Sequence, residues 1–220
     1  MKICVVTDRK KGANIRLPAC DLAIFGFNAF GEINYESELS GKSDKLEKLA
    51  KLSGAAHCGV LCGCVTDSRG LLRKSVAVAG GGKLLGVSDM LYVLDDDKYK
   101  SGANLGVYQL GGCKVGLCID GDLYFPEVVK SLALCGCNLV AVHTEDITDG
   151  VAPLLIRAYS YLYGMPFVLC GGGVAYFADV TGVVACSNQQ VAVFETTFKN
   201  NYRIVTSRRR GILCDGAADF

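Results

Sequence analysis

The sequence predicts a layered α/β protein, and three observations carry that prediction. Apolar runs of strand length recur along the chain and alternate with only two or three segments of helical periodicity, the pattern of sheets covered by helices. At 220 residues the chain is long enough to bury one sizeable core. The stretch from Val115 to Glu127 runs from an apolar segment through a tight acidic corner, Asp120-Gly121-Asp122, into Phe125-Pro126-Glu127. Proline is favoured in the first helical turn because its missing N–H has no partner to lose there, and Glu127 suits the positive end of the helix dipole. Strand, corner and helix therefore follow one another, with the corner at a sheet edge where reactive groups are commonly placed.

In chain order, residues 2–7 form a first buried strand. Residues 8–19 are basic and punctuated by Gly12 and Pro18, and 21–26 form a second strand. A helix fits 43–52, with Ser43 as cap and Leu46, Leu49, Ala50 and Leu52 on its buried side. Strands over 57–66 and 71–79 are joined by the turn Asp67-Ser-Arg-Gly70, and the Gly80–Gly82 turn leads to a short strand at 84–86. Those glycines beside Lys83 lack the Gly-Lys-Ser/Thr ending of a phosphate loop and read as a turn. Residues 95–100 are a charged loop, and 106–110 with 113–119 form a strand pair across Gly111-Gly112. In the helix after the corner Val128, Val129, Leu132 and Cys135 recur at helical spacing, and a strand follows at 138–143. The helix at 151–163 turns Leu154, Leu155, Ala158 and Leu162 inward and ends at Gly164. Strands at 167–170, 183–186, 191–196 and 202–205 complete the set.

Half the residues are apolar and a fifth charged, with a net charge of +1, so no electrostatic argument points to nucleic acid or anionic lipid. No leader pattern and no membrane-length apolar stretch is present, which predicts a cytoplasmic protein. Twelve cysteines are many, but nothing marks secretion, so free thiols are expected. His57, Cys58, Cys62 and Cys64 raise a zinc reading, but no second ligand pair follows at ribbon spacing. The three cysteines alternate onto one strand face, where a thiol serves as a small apolar filler. No metal and no cofactor is expected.

The corner resembles that of the carbon–nitrogen hydrolase (nitrilase) superfamily, which carries an apolar strand, then Cys-Tyr-Asp, two variable residues and Phe-Pro-Glu. Asp122, Phe125, Pro126 and Glu127 match it. The resemblance extends from Lys2 to about Val205 through the strand at Asp21, the Gly86 strand and the Arg157-Ala158 helix with its Gly164. It implies a four-layer α-β-β-α sandwich, with the first outer helix shortened or missing because the 8–19 interval is short and holds Pro18. A single domain over 1–206 and a short basic tail at 207–220 around Arg208–Arg210 complete the expected organisation.

The same resemblance implies a glutamate, a lysine and a cysteine that move the proton, steady the developing charge and attack. At those positions this chain carries Phe27, Met90 and Asp120, and Gly121 replaces the tyrosine. Cys118, two residues before Asp120, is expected on the same strand face but deeper, and no lysine has an obvious route to the corner. Tyr124 belongs to the corner itself, and His143, Thr144 and Glu145 end the next strand and are expected at the same mouth. The expectation is a catalytically inactive homologue with a small-molecule-binding or assembly role, homodimeric through the helices at 126–135 and 151–163. The alternative is an amidohydrolase of small carboxamides with a rewired site at Cys118 or Asp120.

Overall fold

The computed structural model describes residues 1–7, 15–94, 98–147 and 150–198. Two sheets lie face to face. In the first, β1 (Lys2–Val6), β2 (Leu22–Phe25) and β4 (Gly59–Ser68) run parallel, and β5 (Leu71–Gly80) and β6 (Lys83–Asp89) extend it antiparallel. The two-residue β3 (Ile33–Asn34) pairs β4, and β13 (Val191–Glu195) closes the other edge, giving the order β13-β1-β2-β4-β5-β6. The second sheet holds β7 (Val107–Leu110), β8 (Cys113–Ile119), β9 (Leu139–His143), β10 (Phe167–Gly171), β11 (Val174–Ala178) and β12 (Val184–Ser187), in the order β12-β11-β10-β9-β8-β7.

Strand alternation sorts the core into three layers. Ile3, Val5, Val76, Val78, Leu117 and Ile119 fill the space between the sheets. Cys4, Phe25, Cys58, Cys62 and Cys64 face α2 (Lys45–Ala56) on one outer side. Cys118, Val140 and Val142 face α3 (Pro126–Leu134) and α4 (Val151–Tyr163) on the other. The result is the α-β-β-α sandwich. Residues 15–21, the described part of the connection from β1 to β2, contain no helix. No helix among the described residues is long and apolar enough to cross a membrane.

Several expectations need correction. The short α1 (Tyr35–Leu39) was not foreseen, and it displaces Ser43 as the cap of α2. Glu38 of α1 accepts from the backbone N–H groups of Lys45 (3.0 Å) and Leu46 (3.2 Å), satisfying donors that a serine would otherwise serve. β11 also went unread, although Gly172 and Gly173 ahead of it, both at positive φ, are the signal of a two-residue hairpin. Cys135 lies just past the last turn of α3 and is exposed, and Ala133 is buried instead. On α4 the inward face is Ala152, Ile156, Tyr159 and Ser160, and Leu154 and Leu162 are exposed. Two apolar stripes on one helix give the same period, so spacing alone chose the wrong one. The expected strand at 202–205 and the tail at 207–220 lie outside the described residues.

Candidate functional site

The corner after β8 is built by Asp122. Its buried carboxylate accepts from the N–H groups of Leu91 and Tyr92, both at 2.8 Å, and from Ile119 N–H at 3.2 Å. Burial pushes this carboxyl up to about 6 against the lowering effect of the three N–H groups. Asp122 thus ties residues 91–92 onto the corner, and Tyr92 stacks on Phe125 with ring centroids 4.0 Å apart. Gly121 is sealed beneath that segment, since a Cβ there would sit 2.3 Å from the Tyr92 carbonyl oxygen.

Asp120 takes φ +46°, a left-handed conformation that costs a non-glycine residue on the order of 1 kcal/mol. The consequence is directional. Strand alternation would send residue 120 toward the helices with Cys118, but the turn sends its carboxylate toward the other sheet. There Asp120 Oδ2 meets Lys74 Nζ of β5 at 2.5 Å, and Glu145 Oε2 lies 3.2 Å from the same ammonium. The ammonium also stands 5.0 Å from the centroid of the Tyr99 ring. The Thr144 hydroxyl lies 3.0 Å from Asp120 Oδ1 and 2.8 Å from the Asp146 carbonyl, one proton facing two acceptors. Burial pulls the Lys74 ammonium down, but the hydrogen bond and charge of Asp120, followed by Glu145, outweigh it, and the net shift is upward.

The absence of a lysine at the corner is therefore corrected: Lys74 reaches it from the opposite sheet. It was legible in principle, because 74, 76 and 78 share one strand face and Val76 and Val78 are core, which aims Lys74 inward. Cys118 is a second correction. It is fully buried on the helix side of β8, away from Asp120, and burial followed by the charges of Asp122 and Asp120 pushes its thiol well above the usual range.

Phe27 and Met90 are each only 2% exposed and both pack in the core between the sheets. Met90 is further held by its backbone, which donates to Lys74 O at 2.8 Å and accepts from Gly102 N–H at 2.7 Å. His143 lies beneath the mouth rather than at it, fully buried and edge-on to Phe27 with ring centroids 6.5 Å apart. Neither of its ring nitrogens has a hydrogen-bond partner among the described residues, and burial lowers its pKa to about 3, so the imidazole is neutral. Tyr124 is exposed on the outside of the corner. Of the expected site residues, the structure brings together Asp120, Thr144 and Glu145 around Lys74, and leaves Cys118 and His143 enclosed.

Chemically, this group offers an ammonium between two carboxylates, with a hydroxyl and an aromatic face beside it. It holds no thiol.

No family model matches the chain. A probable nitrilase from Schizosaccharomyces pombe is 22% identical over 140 residues, 58% of this chain and 52% of that protein. The chain thus spans about half the length of the curated relative it matches. Among solved structures, a mutant of an amidase of the nitrilase superfamily from Nesterenkonia AN1 superposes with a TM-score of 0.72 at 14% identity, covering 96% of this chain and 95% of that one. The amidase from Nesterenkonia sp. gives a TM-score of 0.71 at 14% identity over 97% and 96% of the two chains. A further mutant of it, showing Michael addition of acrylamide at the active-site cysteine, gives 0.70 at 13% identity over 97% and 100%. The chain has the fold of these amidases of the nitrilase superfamily, and over 140 residues its sequence is similar to that of the probable nitrilase.

Proposed function

We propose that this protein is a catalytically silent member of that superfamily which binds a small polar molecule at the mouth formed by Lys74, Asp120, Thr144 and Glu145. The observation that carries the reading is the state of residue 120. The corner holds a carboxylate already engaged by an ammonium and a hydroxyl, and the nearest thiol in sequence, Cys118, is sealed on the other face. A carboxylate stabilised in its ground state is a weak nucleophile toward amides, because the interactions that hold it must be surrendered as it attacks. Phe27 and Met90, at the positions the resemblance assigns to the base and the cation, are apolar filling between the sheets.

A second reading follows from Lys74 itself. Asp120 as nucleophile, Lys74 as the cation and Glu145 as proton carrier form a carboxylate counterpart of the family's catalytic group, acting on small carboxamides. The two readings separate in one experiment, ammonia release from short-chain carboxamides and nitriles measured alongside the thermal midpoint of the same samples. Silence predicts no ammonia above background, together with a midpoint raised by a member of the panel and unchanged by it in Lys74→Met. Ammonia release that disappears in Asp120→Asn would replace this reading with the hydrolase.

The protein is cytoplasmic and homodimeric in this reading. The dimer is supported by exposed apolar side chains on both helices, Leu134 on α3 and, on α4, Leu154, Tyr161 and Leu162, the last three of which line a surface groove of about 510 Å³.

A further inference from the structure

Lys74, Asp120 and Glu145 bring together an amine, a carboxyl and a proton carrier, the parts from which an amide is made. Lys74 Nζ lies 2.5 Å from Asp120 Oδ2. Ordinary hydrogen-bond angles then put it roughly 3–3.5 Å from the carboxyl carbon, the separation of atoms about to bond. Glu145 Oε2 stands 3.2 Å from the same nitrogen. The Thr144 hydroxyl is 3.0 Å from Asp120 Oδ1, the oxygen that Lys74 does not hold. The Lys74 side chain is only 13% exposed and the Tyr99 ring flanks its nitrogen, so little water reaches the pair. Lys74 sits within β5 and Asp120 directly follows β8, so each end of the contact is fixed by a different sheet.

We propose that Lys74 and Asp120 condense to an isopeptide bond that ties the two sheets covalently, with Glu145 carrying the proton. One proton first passes from Nζ to Oδ2 along their hydrogen bond, turning the ion pair into an amine and an acid without changing the net charge. The Nζ lone pair then attacks Asp120 Cγ, and the C–N bond forms. Charge develops on Oδ1, where the Thr144 hydroxyl is placed to donate. Glu145 takes a second proton from the nitrogen and delivers it to Oδ2, the Cγ–Oδ2 bond breaks, and one water leaves. The products are an amide and water, no electron is gained or lost, and Glu145 returns to its starting form.

Free amines and carboxylates do not condense in water. Holding the two groups in place is equivalent to an effective concentration of about 10⁵–10⁸ M, which offsets that disadvantage. Asp120 rather than Glu145 is the acyl partner because its carboxyl is closer to the nitrogen and is the one that Thr144 polarises. Burial works against the Lys74 ammonium, but the hydrogen bond and charge of Asp120, followed by Glu145, outweigh it. The neutral pair is thus a minor species and the reaction is slow. Freshly prepared protein carries the ion pair, and the bond accumulates after folding. No ligand takes part, so the cross-link stands or falls separately from binding at the mouth.

The test follows the intact mass of the native protein during days of incubation at neutral pH, then maps its tryptic peptides. A species lighter by one water accumulates, and tandem mass spectrometry finds peptide 74–83 joined to peptide 115–130 through Lys74 and Asp120. Lys74→Arg, which keeps the cation but offers a guanidinium that stays protonated, forms no bridge. Glu145→Gln slows the bridge on the order of 100-fold or more. The bridged species melts above the unbridged one, because the link closes a long loop in the unfolded chain. A wild-type mass that never changes or a bridge to Glu145 would overturn the proposal. So would a Glu145→Gln rate equal to wild type, or a loss of water that persists in Lys74→Arg because Asp120 closes onto the Gly121 N–H instead.

Discussion

Lys74 and Asp120 stand on different sheets, 46 residues apart in sequence, and meet at 2.5 Å across the mouth of the sandwich. The contact depends on two independent features. The alternation of β5 aims Lys74 inward, and the left-handed turn at Asp120 swings its carboxylate away from the helix side.

Removing the ammonium leaves two carboxylates facing each other in a partly buried place. Lys74→Met is expected to lower stability by about 1–3 kcal/mol in urea unfolding at neutral pH, less than for a fully buried pair because the side chains retain some solvent. The Lys74 pKa is raised in the folded state, so its contribution is fully present below the unfolded value and is lost as pH rises through the folded one. On the alkaline side, the difference between wild type and Lys74→Met should therefore persist until strongly alkaline solution and shrink there. A difference that is flat into the alkaline range would contradict this.

His143 makes the opposite prediction. Its folded pKa is lowered to about 3, so the unfolded chain takes up a proton below about 6.5 that the folded chain refuses. The stability of wild type relative to His143→Leu should fall by up to about 1.4 kcal/mol per pH unit from about 6.5 toward 3. Asp122, raised to about 6, adds an opposing slope between roughly 4 and 6 in both proteins and cancels in the difference. A pH-independent difference between the two unfolding curves would show that the imidazole is not desolvated.

Gly121→Ala should be expensive despite its small size. The added carbon would lie 2.3 Å from the Tyr92 carbonyl oxygen, which Asp122 holds in place from the other side. A loss of about 1–3 kcal/mol is expected, with faster amide exchange at Leu91 and Tyr92. Unchanged exchange there would mean the segment is not clamped.

Asp120→Cys would place a thiol beside Lys74. Its thiolate should be favoured by the ammonium, giving iodoacetamide labelling at neutral pH that is lost when Lys74→Met is added. Cys118 should stay unlabelled in either protein, being fully enclosed. Ammonia release from carboxamides is not expected to follow, since Phe27 and Met90 fill the space between the sheets. Labelling that survives loss of Lys74 would show that the ammonium does not act on residue 120.

Local chemistry was enough to determine the strand-corner-helix at Val115–Glu127, the glycine turns after β4 and β5, the alternating cysteines of β4, and hence the layered α/β class. Each of these is a property of residues within a few positions of one another, where periodicity and turn preference act. The inward face of α4, the cap on α2 by Glu38, the fate of Cys118 and the arrival of Lys74 at Asp120 were decided by tertiary structure alone. Spacing cannot choose between two apolar stripes, and a single left-handed residue reverses the face that alternation assigns. Which charges neutralise each other is settled only when two sheets close over one core.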